Sequence, residues 1–157
     1  RDYDGADGVD NILSNCSNTP IESIEQVNPH LRVKRYALLP DSCGAGEWRG
    51  GLGLCRAVEI LEDGVFVNFY TDHFKFPPSG VHGGGPGAMG SMTIYRQGEA
   101  IRMSSTGSLD LEPGDVLSLC LGGGGGFGDP AKRPRDQIES DIEDGRKIGR
   151  ASCRERV

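Results

Sequence analysis

Residues 41–53 read DSCGAGEWRGGLG, a run that neither a regular helix nor a central strand accommodates. It holds five glycines, an arginine and the only tryptophan of the chain. Glycine tolerates φ > 0 and the close approach of another backbone, but it loses more conformational freedom on ordering than any other residue. Such density belongs where the chain turns tightly or makes room for a neighbour. Two further stretches share this character, TDHFKFPPSGVHGGGPGAMG at 71–90 and five consecutive glycines at 122–126. With 25 glycines and 9 prolines in 157 residues, a helical bundle is excluded, and the absence of a Gly-X-Y period excludes collagen.

Short strands fill the gaps between these stretches. Residues 31–39 (LRVKRYALL) alternate imperfectly and stop at Pro40, as a strand does. Residues 54–62 and 65–71 alternate around Asp63-Gly64, which predicts a type I′ hairpin with Ile60 opposite Val67 and Val58 opposite Phe69. A second hairpin is expected about Gln97-Gly98, joining 91–96 to 100–104. Strands at 109–111 and 115–121 flank Glu112-Pro113-Gly114, a type II turn sequence, and Leu117, Leu119 and Leu121 are expected to face the core. Two short helices complete the set. Asn18-Thr19-Pro20-Ile21-Glu22 reads as a capping box, with Thr19 as N-cap, Pro20 at the first helical position and Glu22 reaching back. A second helix is expected from about Pro134, with Ile138 and Ile142 one turn apart and Gly145 as its stop. The fold class is therefore α+β and β-rich, mainly antiparallel, with long glycine-rich loops.

The formal charge is −6 without a basic stripe, which speaks against a nucleic-acid or anionic-membrane partner. No apolar run reaches the ~18 residues of a membrane span. Five cysteines (Cys16, Cys43, Cys55, Cys120 and Cys153) lack C-x-x-C spacing and read as reduced thiols of a cytoplasmic protein. The chain opens mid-pattern at Arg1. Its last ten residues, IGRASCRERV, read as the translation of a sequencing adapter, so 1–147 is taken as part of a larger subunit and 148–157 as a non-native tail.

Few residues suggest chemistry. Gly123, Gly125 and Gly128 satisfy G-x-G-x-x-G, but no Lys-Ser/Thr and no immediate helix follows, which favours a packed turn or pocket wall over a phosphate cradle. Asp72, His73 and His82 are candidates for acid–base or metal work, although a loop-packing role fits their spacing better. Arg49 sits beside Trp48 among glycines. It is placed either to clamp a carboxylate bidentately or to tie down its own loop. If the loop faces a site, Arg49→Ala harms activity more than stability. Backbone at Gly50, Gly51, Gly84, Gly123 and Gly124 is the candidate lining for substrate.

Four segments in unbroken order, NTPIE at 18–22, PDSCGAGEWRGGLG at 40–53, TDHFKFPPSGVHGGGPG at 71–87 and PGDVLSLCLGGGGGFGDP at 113–130, resemble the hydantoinase B/oxoprolinase family, in the C-terminal portion of its B-type subunit. Cys43 and His73 stand where the family often has glycine and arginine. The resemblance implies ATP-dependent opening of a cyclic amide such as 5-oxoproline or a hydantoin. It implies a hetero-oligomer in which an A-type partner binds ATP and activates the amide oxygen. It also implies a divalent metal N-terminal to this region, with no metal ligands within it. A related ketone carboxylase (acetone or acetophenone type) and a non-catalytic docking module are the alternatives.

Overall fold

The computed structural model describes residues 3–8 and 20–146. In chain order they form helix α1 (Ile21–Val27), strands β1 (Leu31–Leu39), β2 (Gly53–Ile60), β3 (Val65–Tyr70), β4 (Ser91–Arg96), β5 (Glu99–Arg102), β6 (Thr106–Leu111) and β7 (Val116–Cys120), and helix α2 (Arg135–Glu143). All strand pairs are antiparallel, as expected. One sheet has the order β1-β2-β7-β4-β5, and β3 and β6 make a second of two strands.

The expected hairpin at Asp63-Gly64 is corrected by this topology. The chain turns here with Gly64 at φ +82°, but Asp63 is not at positive φ, so the turn is not type I′, and β2 and β3 do not pair. The backbone at the end of β2 is already engaged. Ile60 N–H donates to the Asp115 carbonyl, Gly114 N–H donates to the Ile60 carbonyl, and Leu61 N–H donates to the His30 carbonyl. The chain therefore leaves the sheet at this corner, and β3 pairs with β6, Val67 lying opposite Leu109 and Phe69 opposite Gly107. The apolar residues still meet, across sheets rather than across strands. Ile60, Ile94 and Leu111 are buried together, with Val65, Val67, Leu109 and Leu117 packed around them. Of the leucines expected in the core, Leu117 joins this cluster, whereas Leu121 is 37% exposed.

The Gln97-Gly98 hairpin is present, with both residues at positive φ, and it joins β4 to β5. Gly114 has φ +90°, as a type II turn needs, but the strands on either side of it enter different sheets. α1 takes Pro20 as its N-cap, one residue later than the capping box requires. Thr19 lies outside the described residues, as do Cys16 and 148–157. At the β1 bulge between Val33 and Arg35, the Val33 N–H donates to the Glu25 carboxylate at 2.8 Å, so α1 covers a break in an edge strand. α2 ends at Glu143 with Asp144 as its C-cap, and Gly145 follows at φ +68°.

The cysteine expectation is also corrected. Cys55 and Cys120 are direct cross-strand partners in β2 and β7, and they form a disulfide with their Cα atoms 4.0 Å apart. Sequence spacing could not reveal it, because strands 65 residues apart bring the two together. Cys43 is buried.

Beyond the sheet the three glycine-rich stretches run side by side as extended threads. Gly44 N–H donates to the Gly124 carbonyl at 2.8 Å, Gly85 N–H to Ala45 at 2.7 Å, Gly126 N–H to Gly85 at 2.9 Å and Gly124 N–H to Gly51 at 2.9 Å. Packing is closest where two threads touch through glycine Cα atoms. A Cβ on Gly126 would lie 2.0 Å from the Ala45 carbonyl oxygen, and one on Gly50 would lie 2.0 Å from that of Gly124. The glycine hydrogen in that direction faces a carbonyl, the arrangement of a weak Cα–H···O contact.

Candidate functional site

The candidate site lies where the sheet gives way to these threads. A cleft of about 190 Å³ is lined there by Gly51, Leu52, Leu54, Leu121, Gly122 and Gly124, among others. Two of the proposed lining positions, Gly51 and Gly124, are therefore together in one wall. Gly50 and Gly123 are buried inside the threads, and Gly84 lies in the 78–90 thread, donating its N–H to the Val81 carbonyl. Within the five-glycine run the N–H groups of Gly124 and Gly126 donate to the carbonyls of Gly51 and Gly85, and just beyond it that of Gly128 donates to Val81, so these three are engaged within the chain.

Arg49 stands beside the cleft and is 5% exposed. Its Nη1 and Nη2 donate to the two oxygens of Asp7 at 2.7 and 3.1 Å, its Nε donates to Asp141 at 2.9 Å, and Nη1 also reaches the Gly50 carbonyl at 3.0 Å. The bidentate clamp imagined for a ligand is closed on the chain's own carboxylate. A second arginine completes the cluster. Arg133 donates to both oxygens of Asp4 at 2.7 and 2.8 Å and to Asp141 at 2.7 Å. Asp4 accepts the Arg49 backbone N–H and Asp7 that of Leu52, both at 2.9 Å. Five side chains thus tie residues 3–8, the 41–53 loop and α2 into one buried ionic knot. Sequence reasoning missed four of them. Asp4 and Asp7 looked like ordinary acidic loop residues, and the 129-residue separation of Asp4 from Arg133 leaves no local signal.

The electrostatics of this knot give it a pH signature. Burial pushes the Asp4 carboxyl up, but hydrogen bonds from Arg133 and the Arg49 backbone, with both guanidinium charges, outweigh it and hold the carboxyl below its ordinary value. Asp7 follows the same logic, with Arg49, Leu52 and Arg146 as its partners. Asp115, 2% exposed beneath the forked Arg96 side chain, is lowered chiefly by the Arg96 hydrogen bond. Carboxyls that are depressed in the folded state bind fewer protons there than in the unfolded chain. Their contribution is complete above the unfolded carboxylate value of about 3.9 and is lost as pH falls through the folded values. Urea midpoints measured from pH 7 downward are expected to vary little on this account until about pH 4 and then to drop. A midpoint already falling between pH 7 and 5 would assign the pH dependence to other groups.

The loop candidates do not converge. Asp72 and His73 are exposed. His73 sits at φ 60°, its Nδ1 donates to the Phe76 carbonyl at 3.1 Å, and its own carbonyl accepts the Gly90 N–H. His82, at φ 52°, meets the Phe127 ring edge-on at 5.0 Å. Among the described residues no group of three or more His, Cys, Asp or Glu is arranged to hold a metal ion. The donor set here does not fit a divalent metal.

The sequence profile of the hydantoinase B/oxoprolinase family matches residues 1–130. The chain belongs to that family. The B-type subunit of a putative D-/L-hydantoinase from Pseudomonas sp. (strain NS671) carries the same region, at 37% identity over 90% of this family member and 24% of its own length. The beta subunit of the Pseudomonas jessenii caprolactamase is 33% identical over 80% of the chain and 22% of its own length. Among solved structures, the ATP-dependent caprolactamase from Pseudomonas jessenii superposes with a TM-score of 0.68 at 25% identity, covering 82% of this chain and 23% of that one. An acetone carboxylase in its nucleotide-free state gives 0.77 at 18% identity, covering 94% and 24%, which shows a shared fold. The chain thus spans about a quarter of the length of these two relatives.

Proposed function

We propose that this chain is part of the B-type subunit of an ATP-dependent cyclic-amide hydrolase, which opens a lactam or hydantoin ring together with an A-type, ATP-binding partner. The observation that carries this reading is the 37% identity to a hydantoinase B-type subunit over 90% of the chain, joined to the caprolactamase likeness in both sequence and fold. A lactam carbonyl is a poor electrophile because the amide nitrogen feeds electrons into it. ATP, handled by the partner, supplies the activation that makes the carbonyl open to water. The residues present fix position. The glycine threads set a rigid backbone wall with Gly51 and Gly124 at the cleft, and the Arg49–Asp7–Asp141 contacts hold that wall against α2. Asp72 and His73, exposed on the 71–90 loop, are the chain's candidates for handling a proton. A divalent metal, where the reaction uses one, is assigned to the remainder of the subunit. The working compartment is the cytoplasm, and 148–157 is a non-native tail.

A related ketone carboxylase is the second reading, favoured by the TM-score of 0.77 to acetone carboxylase, a likeness of fold alone. The test is to supply a complete B-type subunit containing this chain, with its A-type partner, with 5-oxoproline, hydantoin or caprolactam, and to follow ring opening and ATP consumption. Ring opening that requires ATP is the expected result. ATP consumption only with ketone and bicarbonate would replace it with the carboxylase. No turnover on either class, with binding to the A-type partner intact, would leave a docking module.

A further inference from the structure

Among the described residues the two sheets end in four edges, those of β1, β5, β6 and β3. An unprotected edge offers a row of backbone N–H and C=O groups to any strand that meets it, and charges, bulges and caps are the usual protection. β1 carries Arg32, Lys34 and Arg35, a bulge, and the Glu25 carboxylate on its Val33 N–H. β5 is four residues long with Glu99 and Arg102 at its ends. On β6, Arg96 Nη2 donates to the Asp110 carbonyl at 3.1 Å and Ser104 Oγ donates to that of Thr106 at 2.7 Å. β3, VFVNFY, has no charge, no proline, no bulge and, among the described residues, no such cap. The phase of the β3–β6 ladder fixes which of its groups are left over. Thr71 N–H donates to the Ser105 carbonyl at 2.8 Å, one step past the pair Tyr70–Thr106, so Val65, Val67 and Phe69 make the bonded pairs. The N–H and C=O groups of Phe66, Asn68 and Tyr70 therefore point away from β6, and no described residue bonds them. The side chains of these three share the outer face, where Phe66 is 55% and Tyr70 81% exposed. Val65 and Val67, on the inner face, pack on the core.

We propose that the outer edge of β3 is the docking site for an extended strand from the rest of the B-type subunit, which completes the two-stranded sheet. The proposal rests on the reading of this chain as part of such a subunit. The chain matches 24% and 22% of the length of two related subunits, so most of the polypeptide that could cover this edge lies outside it. A sheet of two strands is marginal, and a third strand satisfies the six left-over backbone groups at once. The edge also sets the chemistry of its occupant. Phe66 and Tyr70 call for apolar side chains beside them on the outer face. Exposed Glu62 and Asp63 precede β3 and exposed Asp72 follows it, so the incoming strand carries basic residues at its ends. The same acids disfavour a second copy of the chain. Antiparallel pairing of two β3 strands about Asn68 would bring Asp63 and Asp72 of opposite copies to adjacent positions at both ends.

The test is hydrogen exchange, read residue by residue, on the full 157-residue chain and on a complete B-type subunit containing it. In the complete subunit the amides of Phe66, Asn68 and Tyr70 should exchange as slowly as those of Val67 and Phe69, and on the order of tenfold slower than in the 157-residue chain. Asn68→Pro removes one outward donor, which a free edge tolerates and a paired strand does not. It should lower the melting temperature of the complete subunit more than that of the 157-residue chain, whereas Val67→Pro, which removes a β3–β6 bond, should lower both. Fast exchange at 66, 68 and 70 in the complete subunit would overturn the proposal. Protection that arises in the 157-residue chain alone as its concentration increases would assign the edge to a second copy, and would overturn it equally. Ring opening is scored separately. A subunit that opens rings with these amides still exposed loses the docked strand and keeps the proposed function, and protected amides without ring opening give the reverse.

Discussion

Replacing Gly126 by alanine is expected to remove about 3 kcal/mol of stability or more, enough to unfold a domain of ordinary stability in mild urea. The added methyl would stand 2.0 Å from the Ala45 carbonyl oxygen and 2.4 Å from its carbon. Neither is the end of a flexible side chain, so relief requires one thread to move away from another. That movement breaks hydrogen bonds on both sides, because Gly126 N–H donates to Gly85 and Gly85 N–H donates to Ala45. Gly64→Ala is the matched control. It carries φ +82°, but nothing lies within 4 Å of its Cβ position, so the cost is that of a strained turn, about 1 kcal/mol. Urea midpoints for the two variants should differ clearly. Equal, small losses in both would show that the threads are looser than their contacts indicate.

Arg49→Ala is the second large effect, expected to cost about 3–5 kcal/mol. Deletion leaves Asp7 without its bidentate partner and Asp141 with one guanidinium fewer, in a region where the two carboxylate side chains are 16% and 5% exposed. Breaking a buried ion pair costs far more than the pair contributes over an apolar substitute, since the remaining charge stays desolvated. Lysine should not rescue, because one ammonium cannot reproduce the fork that Asp7 and Asp141 accept. The sequence expectation that this change would harm activity more than stability is therefore reversed by the geometry. A melting temperature within a degree or two of the parent would restore the ligand-clamp reading.

How much is legible in the sequence depends on whether the cause lies close by along the chain. The strand at Leu31–Leu39, the turn at Gln97-Gly98 and the stop at Gly145 each rest on local rules of alternation or positive φ, and each is found. The Asp63-Gly64 hairpin fails for a physical reason. An Asp-Gly pair says that the chain turns, but it does not say which strand has free hydrogen-bonding groups, and the end of β2 is already taken. The same holds for the site. The glycine density at 41–53 signals a demanding backbone path, and that path exists. What it accommodates at closest range is other backbone, that of two more glycine stretches and of residues 5–6, a partner choice that only the assembled fold decides. Arg49 stands out from its neighbours in the sequence as it does in the structure. Its carboxylate partners are invisible there because they lie 42 and 92 residues away.

The span of the ionic knot also governs when the molecule can close. Arg133, which holds Asp4, leaves the ribosome 129 residues after it. Until then the buried seat of Asp4 and Asp7 does not exist, and the early segment has to remain solvated beside a growing chain. The sheets impose the same delay, since β2 waits for β7 and β3 waits for β6. Native closure is thus deferred until α2 has been made, with slow, long-range pairing of the kind that leaves strand edges open in the meantime. During that interval a bound chaperone or partner chain has the most strand edge to protect.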